Sequence, residues 1–237
     1  MKTNLLPLAL VAAALISPVR AATESYTFNP SAAVPDGTVA GLADAHTLSS
    51  SLLSLTDVNV TLNLSSDGDF GAFNGDLYAT LVHSSGFSVL LNRVGRTATA
   101  AFGYSDSGLS VTLDDQAATD IHSYRLAING DNTAPLQSLL TGSFLPDARI
   151  TDPSDVDVTD PRADSAKLSD FNGLAGSGEW VLFVADTEAG GQVQLDSWTL
   201  DLVGTSEALV PEASTVAAGA MLSGLAAWSM WRRRRQA

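Results

Sequence analysis

Gly178-Glu179-Trp180-Val181-Leu182-Phe183-Val184-Ala185-Asp186, followed further on by Ser197-Trp198-Thr199-Leu200-Asp201-Leu202, decides the fold. Successive side chains of a β-strand point to opposite faces. In the second stretch Trp198, Leu200 and Leu202 alternate with Thr199 and Asp201, one face for a core and one for water. In the first, Trp180, Leu182 and Val184 alternate with Val181 and Phe183, which are themselves apolar. A strand that is apolar on both faces belongs in the middle of a sheet.

Reading outward from these two strands, the same alternation recurs. Val58, Val60, Leu62 and Leu64 alternate with Asn59, Thr61 and Asn63, and Leu109, Val111 and Leu113 with Ser110 and Thr112. Leu77 to Val82 and Ser88 to Leu91 read as two strands joined by the turn His83-Ser84-Ser85-Gly86. Asp67-Gly68, Asn74-Gly75, Asn129-Gly130-Asp131, Asn172-Gly173 and Gly190-Gly191 punctuate the runs. No sustained helical period interrupts them; Leu136 to Leu140 suggests one helical turn. No 20–50-residue repeat is present, which excludes solenoids and propellers. The pattern predicts an all-β fold, a jelly-roll-like antiparallel β-sandwich over residues 51–205. Residues 22–50 read as irregular, with a first strand around Tyr26 to Phe28.

Charge narrows the function. Between Ala22 and Leu209 there are six basic and 25 acidic residues, a net charge of −19. That is the opposite of a nucleic-acid footprint, so no nucleic-acid partner is expected. The body should attract cations instead. Cysteine is absent, which excludes disulfides, thiolate metal sites and a cysteine nucleophile.

The two ends differ from the body. Lys2, the apolar run Leu5 to Ile16 and Val19-Arg20-Ala21 read as a secretory signal over residues 1–21, with cleavage between Ala21 and Ala22. At the other end, 206–215 read as a linker carrying Pro211-Glu212, 216–231 as an uncharged apolar transmembrane helix, and 232–237 as a cytoplasmic end led by Arg232-Arg233-Arg234-Arg235. As a helix the apolar stretch would be about 24 Å long, short for a hydrocarbon core of roughly 30 Å. The four arginines would hold its end in the cytoplasm. This three-part tail resembles the PEP-CTERM sorting signal of Gram-negative bacteria, with Ala213 where the second proline is usual. The resemblance implies that Pro211, Glu212 and Arg232 to Arg235 are recognised by a membrane processing enzyme, the exosortase. It also implies export, an inner-membrane intermediate facing the periplasm, and a final place at the cell surface or outside the cell.

The body carries a second resemblance. Gly75-Asp76-Leu77-Tyr78-Ala79-Thr80-Leu81-Val82-His83-Ser84-Ser85-Gly86 is similar to the Gly-Asp-Leu hairpin of the P domain (P/Homo B domain), with Ser85 for the usual proline. Phe171-Asn172-Gly173, then Gly178, Trp180, Leu182, Asp186, Gly191, Leu195 and Ser197-Trp198-Thr199-Leu200, resembles that family's closing block. The match covers roughly Leu55 to Val203. It implies a jelly-roll sandwich that, in the family, stabilises and assists a subtilase. The matched positions are structural in character. Trp180 and Trp198 suit a core, Gly173 and Gly178 suit turns, and Asp76 and Asp186 stand at strand ends where carboxylates accept backbone N–H groups.

Signals for catalysis are few. No Gly-x-Ser-x-Gly elbow or His-Glu-x-x-His motif occurs, and His46, His83 and His122 lie in no recognisable array. No catalytic residue is assigned. Two acidic loops, Asp67-Asp69-Asn74-Asp76 and Asp152-Asp155-Asp157-Asp160, read either as solvated loops or as oxygen ligands for calcium. Calcium at Asp67, Asp69 and Asp76 is the one cofactor reading; otherwise none is expected. The sequence thus points to an exported, exosortase-sorted surface or matrix protein with a non-catalytic body. The rivals are a binding module for exopolysaccharide or an envelope protein, and a small Asp-based hydrolase.

Overall fold

The computed structural model describes residues 19–66 and 71–207. The expectations for most of the secretory signal, Asp67 and Asp69, Pro211 and Glu212, the apolar stretch and Arg232 to Arg235 lie outside the described residues. Residues 21–206 form one compact unit, and its fold is the one treated below.

The chain order is β1 (Val19–Phe28), β2 (Ala32–Val34), β3 (Thr38–Leu48), β4 (Ser54–Ser66), β5 (Leu77–His83), β6 (Gly86–Asn92), β7 (Leu109–Leu113), α1 (Tyr124–Asn129), β8 (Leu140–Phe144), β9 (Gly178–Asp186) and β10 (Val193–Glu207). Among the described residues these make two sheets. One runs β1-β10-β4-β7-β8, with β2 also paired to β10; the other runs β3-β9-β5-β6. The fold is all-β and sandwich-like, with its main hydrophobic core built from both sheets and a second, small cluster at Val89, Ala148 and Ala166.

Register explains the core. Trp198 stands opposite Leu62, and Leu62 opposite Val111, so one row of apolar side chains crosses three strands. In the other sheet Leu81 stands opposite Leu182 and Ala79 opposite Val184. These residues are buried, and both indoles, Trp180 and Trp198, are 0% exposed. As its apolar faces predict, β9 is an inner strand, between β3 and β5. The expected hairpin is present, with Ser84-Ser85 linking β5 to β6 and Ser84 at φ 53°. Gly173 and Gly178 take φ values of 88° and 126°, as their turns require.

Three expectations are corrected. First, the sandwich is not wholly antiparallel: β7 and β8 pair in parallel. A parallel neighbour needs a long crossover, and residues 114–139 supply it, with α1 inside. Second, α1 replaces the helical turn expected at Leu136 to Leu140, a stretch that instead leads into β8. At six residues α1 is too short to show a period, and Gly130 at φ 70° ends it. Third, residues 22–50 are largely strand. The strand β1 begins at Val19 and includes Ala21 and Ala22, and β3 runs the full Thr38–Leu48. The alternation in β3 is diluted by small residues and by Gly41 at φ 56°, where a Cβ would lie 2.5 Å from the Phe183 ring. No helix among the described residues is long and apolar enough to cross a membrane.

Candidate functional site

The chemistry of the body gathers where β9 ends beside the starts of β3 and β5. Asp186, the last residue of β9, stands opposite both Thr38 and Leu77. Asp76 immediately precedes Leu77 in a short 3-10 turn, Asn74–Asp76. The turn is pinned by main-chain bonds from Asn74 N–H to Asp106 O and from Gly75 N–H to Tyr104 O, both 2.8 Å. A side chain at Gly75 is excluded, since a Cβ would lie 2.3 Å from Phe102 O. Thr187 closes the corner by donating both its N–H and its hydroxyl to Asp76 O at 2.9 Å.

Arg93 ties the cluster together from a left-handed backbone, φ 50°. Its Nε donates to Gly75 O at 3.0 Å and its Nη1 to Glu188 Oε1 at 2.8 Å, and its Nη2 lies 3.5 Å from Asp76 Oδ1. Asp36 joins from the β2–β3 turn and accepts Gly190 N–H at 3.1 Å. The Oδ1 atoms of Asp76 and Asp186 are buried and accept no hydrogen bond. Burial pushes the Asp76 carboxyl up to about 6, even against the nearby charge of Arg93, with Glu188 and Asp36 adding to the rise. Burial likewise pushes Asp186 up to about 7, reinforced by the charges of Asp76 and Asp36.

Two clefts flank this corner, and Glu188 lines both. The larger, about 400 Å³, is walled by Val39, Tyr78 and Phe183 with Arg93 and Asp152 on its rim. The smaller, about 180 Å³, is lined by Phe73, Asp76, Phe102 and Ala189 among others. Tyr78 and Phe183 meet edge to face, their ring centroids 6.5 Å apart.

The residues singled out in the sequence divide accordingly. Asp76 and Asp186 come together; Trp180, Trp198 and Gly178 build the core and turns. Asp186 stands at a strand end as expected, but its Oδ1 accepts no hydrogen bond. At Asp76 the carbonyl rather than the carboxylate receives Thr187. The second acidic loop caps itself. Asp152 Oδ1 accepts the N–H and hydroxyl of Ser154, and Asp157 Oδ1 those of Thr159, which holds both carboxyls below the usual carboxylate range. Among the described residues, no three His, Cys, Asp or Glu side chains are grouped so that together they could hold a metal ion.

The histidines are all engaged. His46 Nε2 lies 3.0 Å from Asp44 Oδ2. His83 stacks on Trp180 and sets its two nitrogens against the carbonyls of Glu179 and Ala175, 2.8 and 2.7 Å away. His122 meets Asp147 Oδ2 at 2.7 Å with Nδ1 and Arg96 O at 3.1 Å with Nε2. Arg93, Asp36, Glu188 and the His122–Asp147 pair were not legible as site residues. The available signal was rarity: in so acidic a body the few arginines are placed with purpose, and Arg93, Arg125 and Arg149 each pair with a buried or half-buried carboxylate.

No family model matches the chain, and no curated protein matches it. Among solved structures, the chain is similar to the serine protease of Aeromonas sobria. In that protease's complex with its chaperone, identity is 16% and the TM-score 0.40, covering 81% of this chain and 28% of that one. In the protease alone the values are 16% and 0.39, covering 80% and 28%. The chain thus spans well under a third of the length of the protein it matches.

Proposed function

We propose that this protein is an exported, exosortase-sorted surface or extracellular-matrix protein whose body is a P-domain-like jelly roll without catalysis of its own. One observation carries the reading of the body: the residues that bear the resemblance build the sandwich. Gly178, Trp180 and Asp186 shape β9, an inner strand, and Trp198 anchors β10. The sorting half of the proposal rests on the tail sequence. An apolar stretch too short for a stable anchor, held by four arginines, suits a transient halt with Pro211-Glu212 presented to a membrane enzyme. Intact-mass measurement on protein from its native host tests it. A mature chain cut near Pro211-Glu212 is expected, with retention impaired when Arg232 to Arg235 are neutralised. A species still ending at Ala237 would make the tail a plain anchor and overturn the sorting reading.

A binding module for exopolysaccharide or an envelope protein is the second reading, and the larger cleft favours it. Tyr78 and Phe183 offer partly exposed rings beside the polar groups of Arg93 and Asp152, a combination suited to sugar rings or an extended peptide. Binding of native exopolysaccharide that is lost in Tyr78→Ala and Phe183→Ala variants would establish it. The Asp-based hydrolase reading draws on the raised carboxyls of Asp76 and Asp186. Yet Asp186 is only 1% exposed and out of reach of a substrate.

A further inference from the structure

The strand-end corner is over-supplied with negative charge. Asp76 and Glu188 pair with one guanidinium, that of Arg93, and Asp36 and Asp186 add their charges beside Asp76, which leaves a formal excess of three negative charges. Buried carboxylates normally find hydrogen-bond donors or counter-ions. Here neither Oδ1 of Asp76 nor Oδ1 of Asp186 accepts a hydrogen bond, and among the described residues the one positive charge beside them is Arg93 Nη2, 3.5 Å from Asp76 Oδ1. Asp186 is 1% exposed and Asp76 7%, so water does not cover them from outside. The pair sits on fixed supports: Asp186 ends an inner strand, and Asp76 is held by Thr187 and the Gly75 turn. The smaller cleft reaches Asp76 and Glu188. All free donors here are oxygens, which suits a hard cation.

We infer that this corner binds one calcium ion between the carboxylates of Asp76 and Asp186, with Asp36 and Glu188 contributing charge around it. Arg93 already holds Glu188, so two carboxylates rather than three face the ion, and main-chain oxygen and water complete its six to eight ligands. A site of this kind works in the millimolar to submillimolar range typical of extracellular modules. Of the residues at which the sequence suggested calcium, Asp76 belongs to it, and Asp67 and Asp69 lie outside the described residues.

The test uses the purified protein after chelator treatment. Thermal unfolding is followed with millimolar calcium, with magnesium, and with sodium chloride at matched ionic strength, and calcium stoichiometry is measured by equilibrium dialysis. Calcium alone is expected to raise the midpoint by about 4 °C or more, with one bound ion per wild-type chain that Asp186→Asn loses. Asparagine has nearly the same shape as aspartate and removes only the charge, so this variant should fold; Asp76→Asn serves as a second, read in the same way. Superimposed scans with and without calcium would overturn the inference. So would an equal rise in sodium chloride, which is screening, or a full calcium response in both variants, which would put the ion elsewhere. None of these results bears on the processing of the tail.

Discussion

Trp198 on β10 donates its indole N–H to Asp44 Oδ2 on β3 at 2.7 Å, a hydrogen bond that crosses from one sheet to the other. Around it Phe28 of β1 stacks on His46 of β3 with ring centroids 3.9 Å apart, and Phe28 lies 4.5 Å from the Trp198 ring. The buried ring therefore anchors the core while its polar edge ties the two layers together. Trp180 works differently. Its N–H bonds Gly176 O at 3.0 Å in a local loop, and its ring stacks flat on His83.

Truncating either tryptophan to alanine should cost about 3–5 kcal/mol. The two should separate under a milder change. Trp198→Phe keeps most of the packing but orphans a bond to a carboxylate, for an expected loss of about 1.5–3 kcal/mol. In a cycle with Asp44→Ala the effects should be coupled, read by urea unfolding. Additive losses would show that the bond across the sheets contributes nothing.

Gly75 is required for space rather than for backbone conformation. A Cβ there would meet Phe102 O at 2.3 Å and Tyr104 N at 2.4 Å, both main-chain atoms that cannot swing aside. Gly75→Ala should therefore destabilise by about 1–3 kcal/mol through overpacking. The disturbance should centre on the turn that carries Asp76, visible as local loss of amide-exchange protection at Asn74 to Leu77. Uniform loss of protection across the sandwich would refute the local reading.

What the sequence made legible follows from the physics of each element. Strands with one clean apolar face, Val58 to Leu64 and Trp198 to Leu202, were readable because period-2 alternation is a local property. The strand β3 was not, because its alternating positions hold Ala43 and Ala45, and the bulk it packs against comes from Phe183 on a neighbour. The parallel pairing of β8 is likewise set by a crossover and not by Leu140 to Phe144 themselves. Of the site, Asp76 and Asp186 stood out by their motif. Their encounter depends on register, Leu77 opposite Asp186, which no local pattern encodes. Arg93, which binds Asp76 and Glu188, is a solitary residue whose neighbours in sequence say nothing of its partners.

The second buried polar cluster makes a pH prediction. His122 is fully buried against Asp147, with Arg149 bonded to the other oxygen of that carboxylate at 3.1 Å and to Asp120 at 2.8 Å; Asp157 adds a more distant charge. Burial alone would lower the His122 value, but the bond and charge of Asp147 outweigh it and hold it above the usual one, against Arg149. A raised native value means that the charged histidine is favoured by folding. Its contribution is full below the ordinary histidine value of about 6.5 and is lost as pH rises through the higher native one. The stability gap between wild type and His122→Gln should therefore shrink from pH 6 upward, by comparison of unfolding free energies at a series of pH values. A gap independent of pH would mean that His122 is neutral throughout and only packs.

Asp106 organises the third cluster and offers the sharpest test of how this acidic body uses its few arginines. Its two oxygens accept Tyr124 Oη–H at 2.6 Å, Arg125 Nε and Nη2 at 2.7 and 2.9 Å, and Leu136 N–H at 2.7 Å. Arg125 also lies over the Tyr104 ring, 4.5 Å from its centroid. Burial would raise the Asp106 carboxyl, but the bonds from Arg125, Tyr124 and Leu136 outweigh it and hold the group below the usual range. Removing one partner strands the other, so Asp106→Asn or Arg125→Met alone should cost about 3–5 kcal/mol. Removing both leaves no unpaired buried charge, and Asp106→Asn with Arg125→Met should cost clearly less than the sum of the single changes. Equilibrium unfolding of the four proteins in the cycle measures this directly. A double variant as unstable as the sum would mean that each residue acts through its own packing, and that the pairing of Arg125 with Asp106 does not hold α1 against the loop before β7.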